Sequence, residues 1–167
     1  MELIKGAPVS AKIKEEVGAM LEKINGPAPK LAIKCEKNNA IEKELYTKYE
    51  VKRGAVKKMD AFGLRSQCYT FPADITDEAF KKEFTAINED PDVSGILLLR
   101  PLPKQICEKD IEAMIDPKKD LDGISPVNIA KVFSGDSTGF APCTAEAVIE
   151  MLDYAGIDIK GKRVTVD

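Results

Sequence analysis

Apolar positions along this chain follow two periods, and the switches between them outline its elements. Ile13, Val17, Leu21 and Ile24 lie on one helical stripe, with Ser10 placed to cap it. The run "NGPAP" at 25–29 breaks that stripe, and "KLAIK" after it reads as a short strand. The charged stretch 36–59, "EKNNAIEKELYTKYEVKRGAVKKM", reads as mostly helix, closed by Phe62-Gly63-Leu64 with glycine as the stop. "SQCYTF" is a strand, and Thr76 caps a helix that carries Phe80, Phe84 and Ile87 on one face. "SGILLLRPLP" carries a continuous apolar run, Ile96 to Leu99, ended by Arg100 and the prolines, the pattern of a central parallel strand buried on both faces. "CEKDIEAMI" predicts a short helix, "DPKKDLDGISPVN" a loop, and "TAEAVIEMLDYAG" a helix with a glycine stop. Arg163-Val164-Thr165-Val166 then reads as the start of a buried strand. Strands alternating with helices predict an α/β fold, a three-layer domain with a mainly parallel sheet.

Composition narrows the chemistry more than the fold. The 167 residues are 44% hydrophobic and 32% charged, with a net charge of −3, so no basic footprint for nucleic acid is present. No apolar run is long enough to span a bilayer and the charged N-terminus lacks a signal-peptide core, so a cytoplasmic location is expected. The chain has no histidine, which excludes Ser-His-Asp and Cys-His nucleophiles and every His-ligated metal site. Acid–base chemistry must therefore use Lys, Tyr, Asp, Glu or Cys. Cys35, Cys68, Cys107 and Cys143 form no CxxC pair, and three of the four are expected to act as small core or near-core hydrophobes.

"GIDIKGKR" (156–163) is close to a phosphate loop, but Arg163 stands where the hydroxyl belongs. It also follows a helix and opens a strand, the reverse of the context that aims helix N-terminal amides at phosphates. Three other segments lie near predicted strand ends, where open α/β sheets build their ligand crevice: "RPLPKQI" (100–106), "DPKKDLDGISPVN" (116–128) and "FAPCTAEAVIEML" (140–152). In the second, Asp122 beside Gly123 could accept two hydrogen bonds from an amidine-like ligand edge, although Asp-x-Asp-Gly also suits a plain turn.

Together these segments resemble the bifunctional methylenetetrahydrofolate dehydrogenase/methenyltetrahydrofolate cyclohydrolase family. Its patterns G-[IV]-L-V-Q-L-P-L-P, P-x-K-D-V-D-G-x-x-x-x-N and P-C-T-P-x-G stand here as "GILLLRPLP", "PKKDLDGISPVN" and "PCTAEAVIEML", in the same order. The resemblance implies one-carbon folate metabolism: oxidation of 5,10-methylenetetrahydrofolate to the methenyl form by hydride transfer to NADP or NAD, then hydrolysis to 10-formyltetrahydrofolate. It implies a tetrahydrofolate derivative as ligand, with Asp122 as the pterin contact, Gly123 beside it, and Pro101 and Leu102 lining the same cleft. Pro142, Cys143 and Thr144 match the segment leading into the helix that joins the family's two domains. Residues 1–142 would be the folate-binding catalytic domain, and 143–167 a linking helix and the first strand of a Rossmann-like dinucleotide domain absent from this sequence. The chain would then be an amino-terminal fragment, binding no dinucleotide and inactive alone. Family members are commonly dimers, and a homodimer stays open.

The resemblance fails at the family's catalytic helix. Its Tyr-x-x-x-Lys signature falls on Val51 and Ala55, and its strand-end glutamine falls on Leu99. Either Tyr49, Lys52 or Lys57 substitutes through a changed helix register, or cyclohydrolase activity is weakened or lost. A dehydrogenase tolerates that loss better, because hydride transfer depends mainly on placement, whereas water addition needs proton management. A non-catalytic folate-binding or subunit-interaction module, and an α/β domain unrelated to folate, remain as alternatives.

Overall fold

In the computed structural model, residues 4–37 and 43–165 are described, with side chains for 4–33 and 52–165. The elements run α1 (Gly6–Leu21), β1 (Lys30–Lys37), α2 (Lys43–Ala61), β2 (Arg65–Pro72), α3 (Asp77–Glu89), β3 (Gly95–Leu98), α4 (Glu108–Met114), α5 (Pro126–Ser134) and α6 (Cys143–Tyr154). They group into two compact units, one of residues 27–141 and one of 1–26 with 142–167.

The larger unit holds a three-stranded parallel sheet in the order β2-β1-β3. Leu31 pairs with Ser66 on one side and Gly95 on the other, so β1, not the apolar run of β3, is the central strand. A single parallel bridge from Ile96 to Asp120 covers the outer edge of β3. That extra neighbour, with helices on both faces, explains why β3 is as apolar as a central strand.

Strand pleating divides the sheet's side chains between two cores. Ala32, Ile96 and Leu98 face Phe80, Phe84 and Ile87 of α3 and Ile111 of α4. Leu31, Ile33, Leu97 and Leu99 face Ala55, Val56 and Met59 of α2. The result is three layers, α2, sheet and α3–α4, as the alternation predicts. Phe80 and Phe84 stack with ring centroids 6.4 Å apart. Thr76 caps α3 by accepting from the Ala79 amide at 3.2 Å, as its position predicts. Lys81 joins α3 to α4 through Asp110 and its own-helix neighbour Asp77, each at 2.6 Å.

Several boundaries differ from the sequence reading. α1 begins at Gly6 rather than at Ser10, with Pro8 in its first turn, where a missing N–H leaves no bond unmade. β1 runs on to Lys37, and α2 begins at Lys43. Residues 126–134, outside any predicted helix, form α5, whose Ser125 cap accepts from the Asn128 amide and whose Pro126 sits at the first helical position. Arg163-Val164-Thr165 is not a strand: among the described residues it has no ladder partner, and Val164 is exposed. Cys68, Cys107 and Cys143 are exposed, not core residues, because each sits at an open strand position or at a helix end. The side chain of Cys35 lies outside the described residues.

In the smaller unit α1 packs on α6, with Gly6 close to the Met151 thioether. Gly156 terminates α6 in the left-handed region at φ 69°, while the Ile157 amide returns to the Leu152 carbonyl. No described helix is long and apolar enough to cross a membrane.

Candidate ligand site at the carboxyl end of the sheet

The site residues lie where parallel strands run out. Ile96 pairs in parallel with Asp120, so the segments that follow, 99–102 and 121–124, leave the same end of the sheet. Cleft-forming loops occupy this end in open α/β sheets.

The 120–125 loop is built around its own first residue. Asp120 is 1% exposed, and its carboxylate accepts from the Ile124 amide at 3.1 Å, the Ser125 amide at 2.8 Å and Asn128 Nδ2 at 2.9 Å. Burial alone would raise the acid's pKa, but the bonds from Asn128, Ser125 and Ile124 outweigh it and hold Asp120 below the usual carboxylate range. Gly123 has φ 61°, and a Cβ there would stand 2.5 Å from the Phe140 carbonyl oxygen and 2.7 Å from the Ala141 carbonyl carbon. Only glycine suits both the left-handed backbone and the close approach. Asp122, at the tip of this turn, is half-exposed, and among the described residues its carboxylate has no hydrogen-bond or ion-pair partner.

The second segment is held by α4. Glu108 accepts from the Leu102 amide at 2.9 Å, and Arg100 pairs with Glu112 at 2.9 Å and Glu108 at 3.7 Å. Pro101 is exposed and Leu102 half-buried, with Leu102 packed at the margin of the α3–α4 core. The structure thus brings Pro101, Leu102, Asp122 and Gly123 to one end of one sheet.

The candidates on α2 separate. Lys52 precedes Ala55 and Val56 by three and four residues, which puts it on the sheet-facing stripe, and it is half-buried. Lys57 is exposed and lies off that stripe. Tyr49 lies on the backbone of α2 three residues before Lys52, and its side chain lies outside the described residues. The positions of the expected lysine and glutamine, Ala55 and Leu99, meet in one apolar cluster: Ala55 packs on the group formed by Leu31, Ile33 and Leu99.

Sequence reasoning gave no role to Asp120 and Asn128, although both are fixed letters of the pattern P-x-K-D-V-D-G-x-x-x-x-N. The signal available was the pattern Asp-x-x-x-x-Ser-Pro-x-Asn, in which Ser-Pro opens a helix and leaves both polar residues beside its first turn. In the other unit Pro142 precedes α6 while Cys143 and Thr144 begin it. Gly156 closes α6 and Gly161 lies in a turn beyond it, and neither opens a helix, so this stretch does not fit dinucleotide phosphates.

A family model described as the catalytic domain of tetrahydrofolate dehydrogenase/cyclohydrolase matches residues 4–122. The "Bifunctional protein FolD" of Alkaliphilus metalliredigens is 41% identical over 163 residues, and that of Clostridium kluyveri is 43% identical over 162. Each match covers 96% of this chain and 55% of the relative, so the chain spans about half the length of the curated relatives it matches. Among solved structures, the bifunctional FolD of Campylobacter jejuni superposes with a TM-score of 0.86 at 31% identity, over 95% of this chain and 55% of that one. A Trypanosoma brucei methylenetetrahydrofolate dehydrogenase-cyclohydrolase, solved with NADP and an inhibitor, gives a TM-score of 0.75 at 30% identity, over 95% of this chain and 52% of that one.

Proposed function

Because the chain belongs to the tetrahydrofolate dehydrogenase/cyclohydrolase family, we propose that it supplies the folate side of a methylenetetrahydrofolate dehydrogenase, with cyclohydrolase activity weakened or lost. The reaction is oxidation of 5,10-methylenetetrahydrofolate to the methenyl form, in one-carbon metabolism and in a cytoplasmic setting. The observation that carries this reading is the Asp122 carboxylate, unpartnered among the described residues and presented at the tip of a buried, hydrogen-bonded turn. It accepts two hydrogen bonds from the amino and ring N–H groups of the pterin, and Pro101 and Leu102 flank the ring. The hydride acceptor is NADP or NAD in a longer protein that contains this chain, and the Trypanosoma brucei relative was solved with NADP. Residues 156–163 do not fit it, so this chain's residues are assigned the folate alone.

The weakened hydrolysis rests on the apolar contact between Ala55 and the Leu99 cluster. Water addition to the methenyl carbon needs a group to accept a proton, and that position now holds a methyl group. Lys52, one turn earlier on the same face, is the remaining candidate, and Lys57 points elsewhere. Decay of methenyltetrahydrofolate absorbance tests this. The chain is expected to leave the buffer rate unchanged, and a clear acceleration that Lys52→Ala abolishes would restore the hydrolase and give Lys52 its base.

The same contact favours a second reading, a folate-binding module without catalysis of its own. It predicts folate binding as well, but no dehydrogenation by any longer protein that contains this chain.

A further inference from the structure

The folate reading assigns Asp122 to the ligand but leaves unexplained why two polar side chains lie buried beneath it. Asn128 is 0% exposed and Asp120 1%, and a buried amide or carboxylate is costly unless its bonds are made. Here they are all directed at the segments that carry the site. Asn128 Nδ2 donates to the Pro117 carbonyl at 2.9 Å and to Asp120 Oδ2 at 2.9 Å, while its Oδ1 accepts from the Phe140 amide at 3.2 Å. Asp120 closes the ring by accepting from the Ile124 and Ser125 amides. The Ile96 amide donates to the Lys119 carbonyl at 2.7 Å, anchoring this assembly to β3.

We propose that Asn128 and Asp120 are positioning residues for the ligand contact at Asp122, a brace that fixes the 120–125 turn between β3 and the Phe140–Ala141 segment before ligand arrives. This rests on the folate reading of Asp122. Each end of the turn is tied: its start by the strand bridge at Asp120, its far end by the amides of Ile124 and Ser125, and its tip by the fit of Gly123 against Phe140 and Ala141. Among the described residues, Asn128 alone bonds to both flanking segments, at Pro117 and at Phe140. A carboxylate held in place needs no ordering when it binds, so the brace acts on affinity through preorganisation.

A double-mutant cycle reads this directly. Tetrahydrofolate is titrated anaerobically into the unaltered chain, Asn128→Ala, Asp122→Ala and the double variant. Asn128→Ala is expected to weaken binding about tenfold or more. The double variant should bind no worse than Asp122→Ala alone, because misplacing an absent carboxylate costs nothing. Losses that simply add, or wild-type affinity in Asn128→Ala, would overturn the brace while leaving the folate contact standing. Wild-type affinity in Asp122→Ala would remove the folate contact and the brace with it. Amide exchange on the unaltered chain gives the same test without a substitution, should Asn128→Ala fail to fold. The Ile124, Ser125 and Phe140 amides are expected to exchange as slowly as the interior of α3, and exchange at open-loop rates would overturn the proposal.

Discussion

At the scale of single residues, the site is a contrast between a buried carboxylate that accepts three hydrogen bonds and one that accepts none among the described residues, two positions apart. Asp120 is buried, and Asp122 is half-exposed and unpartnered among the described residues. Because the folded pKa of Asp120 is depressed, its contribution to stability is fully present above the ordinary aspartate value, about 3.9. That contribution is lost as pH falls through the lower, folded value. Thermal melts across the acid range should therefore show a loss of stability that is smaller in Asp120→Asn, which has no proton to take up. Gly123→Ala is expected to abolish tetrahydrofolate binding with the three-layer core intact by circular dichroism, since a Cβ would meet backbone 2.5 Å away. Leu99→Gln would place an amide within the α2-facing cluster and is expected to cost about 1–3 kcal/mol in denaturant unfolding.

At the scale of elements, legibility followed the local signal. The α3 helix was readable because Thr76, Phe80, Phe84 and Ile87 carry cap and stripe together, and the structure uses each of them. Phe84→Ala, at the fully buried centre of that stripe, should lower unfolding free energy by about 3–5 kcal/mol. The α5 helix escaped because its apolar residues point outward: Val127, Ile129, Val132 and Phe133 are all exposed, Phe133 at 94%. An exposed stripe gives no core periodicity, and only Ser125-Pro126 at one end and left-handed Gly135 at the other mark the helix. Ser125→Ala is expected to cost about 1 kcal/mol and to loosen the Asn128 amide, seen as faster exchange there. The rank of β1 and β3 in the sheet was not readable, because an apolar run records burial of both faces and not how many strands flank it.

At the scale of the whole molecule, the parallel sheet turns sequence motifs far apart into one end of one surface. The segments 99–102 and 116–128 become neighbours through the Ile96–Asp120 bridge, which no local pattern announces. What the motifs did convey was the family, which the match over residues 4–122 bears out. What they could not convey was that Ala55 and Leu99, far apart in the sequence, fall in one cluster. The account as a whole stands on Asp122 binding the pterin. The most direct test is calorimetric titration of tetrahydrofolate into the unaltered chain and into Asp122→Asn, which keeps the shape and removes the charge. Saturable binding by the first and a loss of at least about tenfold in the second is the predicted result, as expected for a charge-assisted pair of hydrogen bonds. Equal affinity in the two, or no binding by a demonstrably folded chain, would contradict it.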